Sequence, residues 1–550
     1  MNLTRAQKFQ WHLEKGLAEG VHVLPSPSVA DTRSLVAALA ARFEVLRTSI
    51  DHIDGEPRQV LHDTGHPLRV VDLDTPDELK PRMAALAEEF RREQQGRPGA
   101  LLARFFLLRT ADRGWLGMVA DNVAVDAAFH QVIEQETSRI LGEPAGPDVL
   151  GGAEGIQPLA AAALEAGPRG TRDRERAAEM LRRHFAAAPP RMHPRRPPGA
   201  TADGRYYRRT LEIPDADRLF ARLVAAGDAL PSALILAAFT QLMCVRSDQD
   251  DCTVNVSMDN RHNRELRLTL CATAQRVPVT LSGAGRTLRT YAADVQRALV
   301  EGYPVYGRYD PQDLIAERDR AQRRRGVCLT PDLAFNFVPP PQGWTSLLAE
   351  ATRPLPARES TITGSTTGEV SYEYAASLSM RWADARTGRL SIHGDAEALP
   401  PGDAAALLRG IELMLVRRAD GRDSEPGRIA EETGLSAPQR TGTAIRAGGR
   451  WIDTGPISRM LCERDDVVRA EVLPDPGDEA RLIAHVVAAP GTNPRPDDLR
   501  AGLLPAVGTG ALLIIPDRYE ITDRTENACP SPPNPSSPRR RSTVSGPTVS

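Results

Sequence analysis

The stretch ARFEVLRTSIDHIDGEPRQVL, residues 41–61, decides how this chain is read. It closes a helix candidate over 31–46, DTRSLVAALAARFEVL, in which Leu35, Val36, Leu39, Phe43 and Leu46 share one face and Asp31 or Thr32 is placed to cap. A turn signature, Asp54-Gly55 followed by Pro57, comes next. Any amphipathic helix supplies the apolar face; the turn at a set distance behind it is the more specific feature.

Working outward, LARFFLLR (102–109) and WLGMVA (115–120) read as buried strands flanking a turn at Ala111–Gly114, with a helix over Ala127–Leu141 after the second. Residues 157–186 are rich in Ala and Arg and read as helical. The segment AAAPPRMHPRRPPGA (186–200) breaks this pattern. Its five prolines fit neither a helix nor a central strand and predict an exposed, extended linker.

A second unit starts at Tyr206. YYRRTLEI reads as a strand, Asp215–Ala226 as an amphipathic helix, and SALILAAFTQLMCV as a helix with Pro231 in its first turn. TVNVS (253–257), RVPVTL (276–281), LAFNF (333–337), GEVSYEY (368–374) and GRLSIHG (388–394) read as strands, and Ala404–Arg417 as a closing helix. Both halves mix strands and helices, which predicts two similar α/β lobes at 1–185 and 206–435, joined by a linker at 186–205. From about 436 the character changes again. A short helix at Ile457–Leu461, strands at 467–473 and 481–488 and a helix at 496–503 predict a small α+β unit over 445–529. The tail 530–550, almost wholly Pro, Ser, Arg and Thr, is expected to be disordered.

Composition excludes several classes. A length of 550 residues allows three or four compact units. The net charge of −3 gives no global field for nucleic acid or an anionic membrane. No apolar run approaches about 20 residues, so no membrane span is predicted. The N-terminus lacks the charged-then-apolar pattern of a signal peptide. The six cysteines form no CxxC pair and read as reduced thiols of a cytoplasmic protein. No HExxH, P-loop, GxSxG or dinucleotide fingerprint occurs, and no bound cofactor or metal is expected.

The order of features over 1–435 resembles the condensation domains of nonribosomal peptide synthetases. The family pattern Arg-His-Glu-x-Leu-Arg-Thr, then Asp-Gly-x-Pro-x-Gln, is met by Arg42, Glu44, Leu46, Arg47 and Thr48, then Asp54, Gly55, Pro57 and Gln59, with Phe43 in place of the histidine. LTRAQKFQW (3–11) is similar to the opening motif. VNVSMDNRHNREL (254–266) resembles the family's strand-plus-arginine segment, with Arg261 in the arginine place. In TLCATAQRVPVTL (269–281) Pro278 is kept, while Gln275 and Cys271 stand for the family's Asn and Gly. The resemblance implies an α/β (α+β) fold of two chloramphenicol-acetyltransferase-like lobes set in a V around a central tunnel. It implies carrier-protein partners, whose phosphopantetheine arms would enter that tunnel with an acyl thioester and an amine. Residues 445–529 resemble the small C-terminal lobe of an adenylation domain. Thr525 and Asn527 match its late motif, but Ala528 and Cys529 replace the Gly and the catalytic Lys.

The departure that matters is at the catalytic motif, His-His-x-x-x-Asp-Gly in the family. The aligned residues are Asp121, Asn122, Val123, Ala124, Val125, Asp126 and Ala127. Asn122 occupies the base position and cannot take a proton. General-base catalysis is worth ~10²–10⁴ in rate, whereas positioning reaches effective molarities on the order of 10⁵ M or above. Two docked arms could therefore still react slowly. By the resemblance, Asp126 is a structural residue paired with Arg47. Candidate replacement bases are Asp121 and His130, each with a plainer role as a surface or packing residue. His262 and the Asp250–Asp251 pair read as ordinary turn residues. Three functions remain open: a docking platform for carrier proteins or for an adenylation or tailoring enzyme, an acyltransferase with a non-histidine base, and an inactive synthetase remnant.

Overall fold

The structure, a computed structural model, describes residues 2–13, 17–63, 66–94, 99–143, 155–195, 205–227, 229–261, 269–283, 285–340, 348, 351, 359–366 and 374–522. In the first part of the chain lie β1 (Leu17–Leu24), β2 (Thr48–Ile53), β3 (Glu56–Leu61), β4 (Leu68–Asp72), β5 (Ala103–Arg109) and β6 (Gly114–Asp121). With them come α1 (Arg5–Leu13), α2 (Val29–Arg42), α3 (Leu79–Gln94), α4 (Ala127–Leu141), α5 (Pro158–Ala166) and α6 (Pro168–Ala187). One sheet has the order β1-β6-β5-β4, and β2 and β3 form a separate hairpin. Alternation along the two central strands explains their unbroken hydrophobicity. Ala103, Phe105 and Leu107 with Leu116, Met118 and Ala120 face the core that holds α2 and α4, while Phe106, Leu108, Trp115 and Val119 face α3. A sheet covered on both faces has no polar side to display.

The cap of α2 is Ser28, whose hydroxyl accepts from the Asp31 amide at 3.2 Å, and not the expected Asp31 or Thr32. The helix starts earlier than its apolar periodicity, which leaves Asp31 in the first turn, where a carboxylate complements the helix dipole.

The second part contributes β7 (Tyr206–Ile213), β8 (Asp251–Met258), β9 (Gln275–Ser282), β10 (Leu333–Phe337), β11 (Thr361–Thr366), β12 (Ala376–Trp382) and β13 (Gly388–Asp395). They build a seven-stranded sheet, β11-β7-β13-β12-β10-β8-β9, in which β10 runs parallel to both neighbours. Its helices are α7 (Ala216–Ala225), α8 (Pro231–Ser247), α9 (Leu288–Tyr306), α10 (Pro311–Arg325), α11 (Pro401–Ala419) and α12 (Pro426–Thr433). Nearly every residue of α8 is buried, as its all-round apolar sequence requires. The expected strand at 368–374 lies mostly outside the described residues; the strand found beside it is β12. The mixed α/β architecture expected from the sequence is present in both halves.

The C-terminal part holds β14 (Ala444–Ala447), β15 (Arg450–Asp453), α13 (Gly455–Cys462), β16 (Val467–Asp475), β17 (Asp478–Ala488), α14 (Pro496–Thr509) and β18 (Arg518–Thr522) around its own core. It is fastened to the second sheet's unit. The Cys328 amide donates to Leu513 O at 2.8 Å, and Arg500 donates to the last carbonyls of α10 at Arg323 and Arg324. Residues 523–550, including the expected disordered tail and Thr525 to Cys529, lie outside the described residues.

The linker expected to be exposed is buried at residues 188–189 and 191–193. Asp332 accepts from the Met192 and His193 amides and from His193 Nδ1, at 2.9 Å for the last, and Arg325 donates to Phe185 O and Ala188 O. The prolines do exclude helix and sheet, but the backbone groups they leave unpaired find fixed partners in place of water. Ahead of this segment, α6 buries Ala177, Leu181 and Phe185 in the second core. Helix α1 spans both cores, with Trp11 packed on the first and Phe9 in the second.

Candidate functional site

The segment aligned with the family motif is a tight loop between β6 and α4. The Asp121 amide donates to Leu102 O at 2.8 Å, and the Asp121 carboxylate accepts from the Val123 amide at 2.8 Å. Asp121 therefore shapes the turn, which explains an acid at this place without catalysis. Asp126 is the N-cap of α4 and accepts from the Phe129 amide at 2.8 Å.

The same carboxylate is held from the other half of the chain. After β8 the chain crosses over, and residues 269–273 lie against the loop before returning as β9. Leu270 and Cys271 are buried in the first core, and the Ala272 amide donates to Ala124 O at 3.0 Å. Asp126 accepts from the Thr273 amide at 2.6 Å and hydroxyl at 3.1 Å, and pairs with Arg261 at 3.3 Å. Arg261 also donates to Thr269 O and Cys271 O, so one guanidinium ties the strap to itself and to α4.

This corrects the expected Arg47–Asp126 pair. Arg47 donates to Ala40 O at 3.2 Å and His62 O at 3.0 Å, closing the end of α2 against the end of β3. The 3-10 turn Glu44–Arg47 points it to its own helix terminus, and Arg261 takes the role instead. Thr273 was not singled out in the sequence, and no local pattern marks it.

Two other sequence segments do meet. The Gln7 side chain donates to Gln59 Oε1 at 3.0 Å, Gln59 donates to Asn2 O at 2.7 Å, and Gln7 Oε1 accepts from the Thr4 amide. The Thr4, Gln7 and Gln59 side chains are buried, and this joins the opening motif to the hairpin behind α2. Phe43 stands edge-on to Phe129 with ring centroids 5.3 Å apart, so the residue in the histidine's place packs against α4.

Asn122 is half-buried, and its side-chain amide has no hydrogen-bond partner among the described residues. His130 packs over β1, where a Cβ on Gly20 would run into its Nε2, and its Nδ1 lies 3.5 Å from Glu134. Asp251, expected in a solvated turn, opens β8 and pairs with Arg450, because β15 docks against it. His262 lies outside the described residues. Another buried acid, Glu165 on α5, accepts from the Arg5 amide at 2.7 Å; burial pushes its carboxyl up, against the pull of Arg5. A cavity of about 50 Å³ lies between α1, α6, α10 and β9, lined by Phe9, Phe185, Arg276 and Tyr374 among others, and one of about 240 Å³ lies under the β14–β15 hairpin. Neither reaches Asn122. Among the described residues no group of three or more acidic, His or Cys side chains could hold a metal, and no helix is long and apolar enough to cross a membrane.

Neither protein families nor curated proteins give a match to this chain. Solved structures do. The starter condensation domain of rhizomide synthetase matches with a TM-score of 0.55 at 15% identity, over 78% of this chain and 96% of that one. A condensation domain acting in chain release from the enacyloxin polyketide synthase gives 0.53 at 19%, over 80% and 84%. The X-domain from teicoplanin biosynthesis, solved also in complex with OxyB, gives 0.53 at 20%, over 78% and 96%. At these identities the likeness speaks of architecture, and the architecture of this chain is that of a condensation domain.

Proposed function

We propose that the protein is a condensation-like component of nonribosomal peptide biosynthesis that binds acyl or aminoacyl thioesters tethered to carrier proteins and has lost most of its catalysis. The carrying observation is the loop Asp121–Asp126. The cross-half pair Asp126–Arg261 is built in full, while Asn122 stands unpartnered where an imidazole would accept the amine's proton. Asp121 is engaged in its own turn, and His130 is packed on β1, so neither is free to substitute. In this view residues 1–185 and 206–435 are the two condensation lobes, 445–529 is a remnant of an adenylation C-terminal lobe, and the protein works in the cytoplasm without a bound cofactor. The phosphopantetheine arms belong to its partners. The teicoplanin X-domain, of like fold and solved with OxyB, supports a tailoring enzyme as a further partner.

The test is to mix the protein with acyl- and aminoacyl-loaded carrier proteins and follow binding and product by mass spectrometry. Saturable binding without turnover is expected, and Asn122→His should raise amide formation by ~10²-fold or more. Turnover lost in Asp121→Asn would instead establish the acyltransferase alternative, and absence of carrier binding would end the proposal.

A further inference from the structure

The cavity of about 240 Å³ belongs to none of the chemistry above. It lies where three parts of the chain meet: the buried segment after α6, the end of α10 with Gln249, and the β14–β15 hairpin. Its size falls just under the ~300–1,000 Å³ of ordinary ligand pockets.

Its charge is unbalanced. Arg191, Arg325 and Arg450 line it. Arg450 is paired with Asp251 and donates to Gln249 at 2.8 Å. Arg191 is only 6% exposed and donates through Nε to His193 O at 2.6 Å; its two terminal nitrogens have no partner among the described residues. Asp332 feels the Arg191 charge, but its oxygens are taken by His193 and the neighbouring amides. Arg325 donates through one nitrogen to two backbone carbonyls and has no carboxylate partner among the described residues. Guanidinium stays charged at any ordinary pH, so a buried Arg191 with its terminal N–H groups unbonded, beside a partly buried Arg325, is best completed by an anion that accepts from both. Burial lowers the pKa of Arg325, and the neighbouring Arg324 charge adds to the shift. The remaining wall is apolar, with Val327, Ile452, Leu513 and Ile514.

We propose that this cavity binds a small phosphate-bearing molecule, its phosphate between Arg191 and Arg325 and its organic part against Ile452 and Ile514. A phosphate monoester is an anion with three acceptor oxygens, enough to meet the open N–H groups of both Arg191 and Arg325, and its geometry suits the planar fork of arginine. A carboxylate offers only two oxygens and one charge.

The test is calorimetric titration of the full chain with phenyl phosphate, inorganic phosphate and benzoate at constant ionic strength. Phenyl phosphate is expected to bind one per chain, at least tenfold tighter than benzoate. Equal affinity for inorganic phosphate would keep the site and assign it to the free ion. Benzoate binding as tightly as phenyl phosphate, or no saturable binding of either phosphate, would overturn the proposal. Arg191→Gln and Arg325→Gln should each weaken binding at least tenfold. Arg325 also holds two carbonyls, so Ala480→Leu serves as the second variant. It fills the mouth from an exposed position and leaves every guanidinium in place, and it should abolish binding in a chain of unchanged thermal midpoint. Undiminished binding in all three variants would sink the assignment.

Discussion

Replacing Asp126 by Asn removes the charge and one of its two acceptor oxygens. Asn still caps α4 through its single oxygen, but its amide nitrogen then faces the Thr273 amide, which had bonded the second carboxylate oxygen. Lost with that bond is the ion pair with Arg261, whose side chains are 7% and 8% exposed. Breaking a buried pair of this kind costs ~3–5 kcal/mol, because the surviving charge is left uncompensated. The Arg261 bonds to Thr269 O and Cys271 O offset part of that, so about 3 kcal/mol is the working figure. The unit that opens is the strap 269–273, and roughly 100-fold faster exchange of the Ala272 and Thr273 amides follows from that energy. Hydrogen exchange read by mass spectrometry on peptides spanning 269–275 measures this directly. Asp126→Ala should add about 1 kcal/mol through the lost cap and spread the effect to Phe129. Arg47→Met should leave the strap unchanged, since Arg47 closes α2 and does not touch Asp126. Equal protection in wild type and Asp126→Asn, or strap opening in Arg47→Met, would refute the assignment of Arg261 as the partner.

Phe43→Ala empties a core position 1% exposed and removes the edge contact with Phe129; a loss of ~3–5 kcal/mol is expected in chemical denaturation monitored on the first unit. Gly20→Val should destabilise by driving the His130 ring off β1, and His130→Ala in the same chain should recover much of the loss; no recovery would mean the contact is misplaced. Burial pushes the His184 imidazole down to about 4, so the fold holds the neutral ring. Its contribution is complete above the unfolded value of about 6.5 and is lost as pH falls towards 4, about 1.4 kcal/mol by pH 5.5. His184→Gln should flatten that part of the stability–pH curve, and an unchanged slope would count against a neutral buried ring.

The strands with the clearest apolar runs were legible without coordinates. Tyr206–Ile213 and Leu333–Phe337 stand where the sequence placed them, and the helix Ala127–Leu141 does too. Weakly patterned elements were not. β1 reads LAEGVHVL and leaves Val21 and Val23 exposed on an edge, and β11 reads TITGST with almost no buried face, so neither shows a period against its surroundings. The proline-rich stretch after α6 looks like linker because composition reports what a segment cannot form. It says nothing of the partners, here Asp332 and Arg325, that bury it.

By itself, then, the sequence determined the two mixed halves, the loop that presents Asn122, and the absence of an imidazole there. These follow from residue type and from spacings of a few residues, which local sterics and burial translate directly into helix, strand and turn. Only the tertiary structure decided that Arg261 and not Arg47 holds Asp126, that 269–273 crosses into the first core, and that three distant arginines share one cavity. Such pairings join residues more than a hundred positions apart, and their energies depend on burial and angle that arise only once the two cores are formed and docked.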